Sequence, residues 1–180
     1  VMRKKLLIIG HSRHGKDTVA EYLRDYFGYN FISSSEYVGR RAVWPKIATE
    51  KVVPLFRCSD YYSSFEECFE DRHNHRKFWA DTISAYNTPD KTRTSVEMLE
   101  DGYDMYVGMR RRDELEAVKA AGIFDYIIWV DRSELLPDEG LDSMELVPED
   151  ADLVVDNNGT KFNLFNNVLD LMEVIGHDTG

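Results

Sequence analysis

Residues 5–28 constrain this chain more than any other stretch. An apolar run at 5–9 ends at Gly10-His11-Ser12-Arg13-His14-Gly15-Lys16-Asp17-Thr18. Val19, Ala20, Leu23, Tyr26 and Phe27 then recur at helical spacing until Gly28. A buried strand, a glycine-flanked loop and an amphipathic helix in that order make an anion cradle. The glycines let the backbone wrap, its N–H groups point inward, and the helix contributes its positive end. Gly10 to Lys16 has the G-x-x-x-x-G-K spacing of a Walker A loop, in which Lys16 reaches the β and γ phosphates of a nucleotide. A glycine-rich turn with no ligand is the plain alternative, and the strand before and helix after argue against it. Asp17 stands where that loop expects Ser or Thr on Mg²⁺. A carboxylate is a hard oxygen ligand, so Asp17 is the metal candidate, although an acid also suits the first turn of any helix. Thr18 is left for a phosphate oxygen. His11 and His14 either touch phosphate or fill the loop.

Composition sets the class around this loop. The 180 residues suit one domain with an insertion. Asp and Glu number 33 against 22 Lys and Arg, a formal charge of −11. That balance argues against an extended nucleic-acid partner, which needs a positive surface, and leaves only a local basic groove as a route to one. Cys58 and Cys68 lack CxxC spacing and read as free thiols in a reducing compartment. No apolar run is long enough to span a bilayer and none at the start reads as a leader, so a cytoplasmic protein without membrane contact is expected.

Five β-like runs, at 5–9, 29–33, 104–108, 125–130 and 152–156, are apolar through their middles. That is the pattern of strands covered on both faces in a parallel sheet. Helical patterns lie between them at 16–27, 112–121 and 160–175, each followed by Gly28, Gly122 or Gly176. In the last of these, Phe162, Phe165, Val168, Leu169, Met172 and Val174 are the expected buried set. The alternation predicts an α/β fold with a five-stranded parallel sheet. Residues 34–102 interrupt it with a mainly helical insertion: a helix at 65–72 capped by Ser63-Ser64, one at 75–86 with Phe78, Trp79, Ile83 and Tyr86 inward, and one at 90–101. An insertion of that size usually carries substrate contacts or a moving part. Residues 132–150 are acidic, hold Pro137 and Pro148, and read as a loop that could serve as a short lid.

The Gly-Lys-Asp-Thr of the loop resembles the phage deoxynucleoside monophosphate kinases among the P-loop nucleoside and nucleotide kinases. Gly108-Met109-Arg110 with Asp113-Glu114-Leu115-Glu116-Ala117, the run at 125–130, and Ala151 through Gly159 are similar to later parts of that family. The resemblance implies a three-layer P-loop kinase fold with a helical substrate-binding insertion, with ATP and Mg²⁺ as cofactors. It also implies adenine near Asn157 and Asn158, and acceptor-nucleotide contacts around Ser34, Ser35, Arg40 and Arg41, residues that read equally well as a plain serine N-cap followed by solvated arginines. The family often carries an acid where this chain has Gly108, and Asp104, Asp131 and Asp156 are the candidates to replace it.

Residues alone add two cationic groups. Arg110 directly follows a predicted strand, at the end where ligands bind in open α/β sheets, so it is the expected phosphate contact and, with Lys16, the catalytic candidate. Arg112 reads as solvated or paired with Glu116. Arg72 and Arg76, one helical turn apart, form either a phosphate-binding pair or a salt-bridged face. His73 and His75 have no third ligand at metal spacing. The expected partner is a small nucleotide substrate, and a homodimer is compatible with the sequence. The leading expectation is transfer of the ATP γ-phosphoryl group to a (deoxy)nucleoside monophosphate. The alternatives are phosphorylation of a hydroxymethylated base in DNA, and a nucleotide-binding regulator without transfer chemistry.

Overall fold

The computed structural model describes residues 3–49, 62–140 and 142–176, so Cys58 lies outside the described residues. In chain order, β1 (Leu6–Ile9) leads through the glycine-flanked loop into α1 (Lys16–Phe27), and β2 (Phe31–Ser33) follows. Then come α2 (Ser34–Val38), α3 (Trp44–Thr49), α4 (Phe65–Glu70), α5 (Arg76–Tyr86) and α6 (Arg93–Glu100). The alternation resumes with β3 (Met105–Val107), α7 (Arg112–Ala120), β4 (Tyr126–Asp131), β5 (Leu153–Asp156) and α8 (Lys161–Ile175). The chain divides into two compact units, one of Val1–Ile32 with Ser95–Gly180 and one of Ser33–Thr94.

The larger unit holds the sheet, which is all parallel in the order β2-β3-β1-β4-β5. Every residue of β1 is fully buried because the strand is central and covered on both faces. Side chains alternate across it. Leu6 and Ile8 join Val19, Ala20 and Leu23 of α1 and Leu164, Val168, Leu171, Met172 and Ile175 of α8 in one core. On the opposite face Leu7, Ile9, Ile127 and Trp129 are buried, as are Leu115 and Val118 of α7. The Tyr106 hydroxyl donates to the buried Glu114 carboxylate of α7 at 2.8 Å, which fixes that helix to β3. Burying each large aliphatic side chain is worth roughly 1.5–3 kcal/mol.

Two expectations about faces fail at the sheet's β5 side. β5 is an edge strand, and its Val154 is 56% exposed rather than covered. In α8, Phe162 and Val174 point to solvent and Leu169 is exposed, while Leu164, Leu171 and Ile175 take the core positions. Apolar residues cover about half of the helix circumference, with Asn163, Asn166, Asn167, Asp170 and Glu173 on most of the rest, so spacing alone did not centre the buried stripe. Tyr26 is likewise exposed, set edge-on against Phe165. The helix stops hold: Gly28 and Gly176 are left-handed C-caps, and Thr160 caps α8 reciprocally with Asn163.

The smaller unit is helical. Ser33 caps α2, its hydroxyl accepting the Glu36 N–H, and Ser64 caps α4 through the Glu67 N–H. One π-helical turn at Gly39–Val43 joins α2 to α3. A Cβ on Gly39 would lie 2.6 Å from the Trp79 ring, so glycine is required for that approach. Val43, Ile47, Phe65, Cys68 and Trp79 form its core. The helix predicted at 65–72 stops at Glu70. A 3₁₀ turn, Asp71–His75, follows, and α5 starts afresh at Arg76 after the non-helical His75. Arg72 and Arg76 therefore sit on different elements and do not share a helix face.

Candidate active site

The loop between β1 and α1 lies at the carboxyl end of the central strand. Residues 108–111 and 132–140 leave the carboxyl ends of its neighbours β3 and β4. Chain connections run to one side of β1 through β2 and β3, then to the other through β4 and β5. Ligands of open α/β sheets bind at such a switch point. Gly10 and Gly15 make the wrap possible. Gly10 has φ 150°, and a Cβ there would meet the Val130 carbonyl oxygen at 2.7 Å. Gly15 has φ 98°, and a Cβ there would collide with the Asn157 side-chain amide. Arg13 takes φ 63° at the exposed loop tip.

Lys16 turns back into this loop. Its ammonium donates to the carbonyls of Gly10 at 2.8 Å and His11 at 2.9 Å. Burial, then the nearby Arg110 guanidinium, push its pKa down to about 8, partly offset by Glu139 and Asp17. Arg110 has the place expected from its position after β3, close enough to Lys16 to repel it. A carboxylate sits where these groups converge. Glu139 accepts the Ser12 backbone N–H at 2.8 Å through one oxygen and the Arg110 guanidinium at 2.7 Å through the other. Burial opposes its ionisation, but the Arg110 bond and the Ser12 N–H outweigh it and hold its carboxyl below the usual range. The Ser12 N–H and Arg110 thus hold a chain carboxylate close enough to Lys16 for its charge to raise the Lys16 pKa. Sequence reasoning treated 132–150 as an acidic loop that could serve as a short lid and singled out no residue within it. The available signal was Asp138-Glu139 between Pro137 and Gly140, an acid on a turn in a segment expected to approach an anion site.

The two loop histidines face inward and act on this segment. His11 Nδ1 accepts the Glu139 N–H at 3.0 Å, and its ring meets Trp129 edge-on. His14 is fully buried, and its Nδ1 accepts the Arg132 N–H at 3.1 Å. Both rings bind as acceptors, so neither Nδ1 carries a proton. Burial, against the pull of Asp138, lowers the His11 pKa and favours that neutral form.

Asn157 is buried and donates its side-chain amide to the His14 carbonyl at 2.9 Å, bracing the loop from beneath. Asn158 bonds Asp156 at 2.7 Å and accepts the Glu134 N–H. Both asparagines, expected beside adenine, are engaged with the loop and the strand ends. Of the acids considered in place of Gly108, Asp104 lies at the wrong end of the sheet. It bonds Lys5 at 3.1 Å and the Asn30 N–H. Asp131 and Asp156 are at the carboxyl ends of β4 and β5, closing turns with Ser133 and Asn158. Asp17 and Thr18 lie on the first turn of α1, with Asp17 exposed.

Arg40, Arg41 and Arg72 of the helical unit are engaged within it. Arg40 bonds Glu36 and Glu66 and lies over the Phe65 ring, and Arg41 lies over Tyr37. Arg72 donates to the Phe69 carbonyl at 2.8 Å and lies over that ring, and Arg76 is exposed at the start of α5. Ser34 and Ser35 are half-buried on the first turn of α2, while Ser33 makes the cap. His75 pairs with Asp71. Arg112 pairs with Asp150 through both nitrogens, not with Glu116.

Two solved structures share this architecture. A shikimate kinase from Bacteroides thetaiotaomicron superposes with a TM-score of 0.52 at 10% identity, over 96% of this chain and 98% of that one. The protein TT1252 from Thermus thermophilus superposes with a TM-score of 0.52 at 20% identity, over 99% and 100%. No protein-family model and no curated protein matches the sequence. The α/β fold with five parallel strands expected from the sequence is the observed one, and it is shared with the shikimate kinase structure. No helix among the described residues is long and apolar enough to cross a membrane.

Proposed function

We propose that this chain is an ATP-dependent phosphotransferase that moves the γ-phosphoryl group to a (deoxy)nucleoside monophosphate, with Mg²⁺. One observation carries the reading. The Glu139 carboxylate is held by the Ser12 N–H and Arg110 beside Lys16, so the loop is shaped to hold an anion where a nucleotide's terminal phosphates belong. An acceptor oxygen bonds to the γ-phosphorus while the bond to the β–γ bridging oxygen breaks, and ADP leaves with that electron pair. Such a transfer asks the protein for position and positive charge rather than a nucleophile. Lys16 and Arg110 supply that charge. Mg²⁺ is commonly held by one or two carboxylates plus substrate phosphates. Asp17, exposed beside Lys16, fits as the protein donor, and a metal there would offset phosphate charge. The monophosphate acceptor is supported by the resemblance of Gly15-Lys16-Asp17-Thr18 to the nucleotide kinases.

The test is ATP consumption across the four deoxynucleoside monophosphates, modified monophosphates and hydroxymethylated DNA. Turnover with a free monophosphate is expected. Lys16→Ala should lower it by about two to three powers of ten, the range for losing one preorganised donor at the transferring group. Turnover only on DNA would move the acceptor, and tight ATP binding without turnover on any acceptor would make the chain a regulator.

A further inference from the structure

We infer that Glu139 is an internal plug: in the free protein its carboxylate fills the phosphate position of the loop, and a nucleotide must displace it. The inference rests on reading residues 10–18 as the phosphate site, and it assigns that site a regulation of its own.

Four contacts define the plug, all from residues 132–139 to the loop or to the arginine beside it. The Glu139 carboxylate takes the Ser12 N–H at 2.8 Å and Arg110 at 2.7 Å. The Glu139 N–H is held by His11 Nδ1, and the Arg132 N–H by His14 Nδ1. The partners of the carboxylate are the kinds that bind phosphate: a nest N–H, a guanidinium and the field of a half-buried ammonium. Glu139 is itself only one-fifth exposed, so it is seated rather than passing. A phosphate oxygen and this carboxylate cannot take the same N–H at hydrogen-bond distance. The nucleotide therefore competes with a tethered carboxylate, and its apparent affinity falls by the fraction of molecules in which the plug is in place.

The rest of the segment shows why displacement is affordable. Ser133, Glu134, Leu135 and Asp138 are exposed, so pulling Glu139 away uncovers little apolar surface. From residue 144 onward the chain is fastened elsewhere. Met144 and Leu146 are buried, the Glu145 N–H bonds the Arg110 carbonyl, and Arg112 grips Asp150. The plug can leave while its far end stays attached.

Calorimetric titration with MgATP and with inorganic triphosphate, on wild type, Glu139→Gln, Glu139→Ala and Lys16→Ala, tests this. Glu139→Ala should bind both ligands about tenfold more tightly than wild type, the order expected for removing one charge-assisted competitor. Glu139→Gln should fall between, and Lys16→Ala should bind weakly. Amide hydrogen exchange adds a readout independent of the variants. On adding MgATP, the Arg132 and Glu139 amides should exchange faster while the Glu145 amide stays protected. If wild type binds and Lys16→Ala does not, yet Glu139→Ala binds no tighter, or MgATP protects the Glu139 amide, the plug is overturned and the phosphate site stands. If no form binds either ligand, both fall together.

Discussion

The segment between β4 and β5 is held in two unlike ways. Its first part, residues 132–140, touches the rest of the chain through polar groups on the loop's own histidines, Ser12 and Arg110, and Leu135 is 53% exposed. Its second part, 142–150, inserts Met144 and Leu146 to 1% exposure each and closes with the two-nitrogen grip of Arg112 on Asp150. Hydrogen bonds exchanged for bonds to water or ligand cost little net free energy, whereas withdrawing a buried apolar side chain loses its whole transfer and packing term. One stretch of loop thus contains a replaceable half and a fixed half, and the replaceable half is the one over the anion site.

The largest effect belongs to the fixed half. Met144→Ala should lower unfolding free energy by about 2–5 kcal/mol, as for other buried methionines, and appear as a clear fall in Tm. Leu135→Ala in the other half should stay within about 0.5 kcal/mol. Equal losses would erase the distinction. Arg112→Ala comes next. Asp150 keeps its place with only 14% of its side chain exposed, but Arg112 is itself over a third exposed, so solvent screens the pair. About 1 kcal/mol is the expected loss, measured by urea titration, with ATP affinity unchanged because Arg112 serves the anchored end alone. A drop in affinity without loss of stability would show that the anchor also shapes the site.

The loop, the five parallel strands and the position of Arg110 after β3 were legible in the sequence because each depends on local pattern: glycine spacing, apolar runs and a residue directly after a strand. The order of the strands in the sheet was not, because pairing is decided by tertiary contacts. The partner of Arg110 was not. Glu139 lies 29 residues further on, and nothing in periodicity says which of several acids in 132–150 will turn inward. Asn157 was noticed as part of a strand-end turn, but its bond to the His14 carbonyl spans 143 residues and exists only once β1 and β5 share a sheet. The buried stripe of α8 was misread for the opposite reason: its apolar arc spans about half the circumference, wider than the face that packs, so the centre of the buried face is set by the sheet. In the helical unit, Arg40 was expected at the acceptor through the resemblance, and Arg72 through its spacing to Arg76. Phe69, three residues before Arg72, gave a competing signal there, whereas Phe65 lies 25 residues from Arg40 and meets it only in the folded unit.

The smallest expected change is a shift in the pH at which affinity breaks, and it links the plug to Lys16. With its pKa lowered to about 8 by burial and by Arg110, Lys16 in the free protein gives up its proton well before the same side chain in an unfolded chain, which holds it to about 10.4. Between those values the unfolded chain binds more protons, so the Lys16 contribution makes the free protein more stable as pH rises from about 8, and Lys16→Met should lack that rise. Nucleotide affinity runs the other way. A phosphate needs the ammonium, so binding above pH 8 must take up a proton, and affinity should fall by up to about tenfold per pH unit beyond the break. Glu139 is one of the two charges that raise the Lys16 pKa. Removing it in Glu139→Gln should move the break to lower pH while the affinity below the break rises. Titrating MgATP into both proteins between pH 6.5 and 9.5 reads the two shifts at once. A break that stays put in Glu139→Gln would mean that the carboxylate and the ammonium do not share one site.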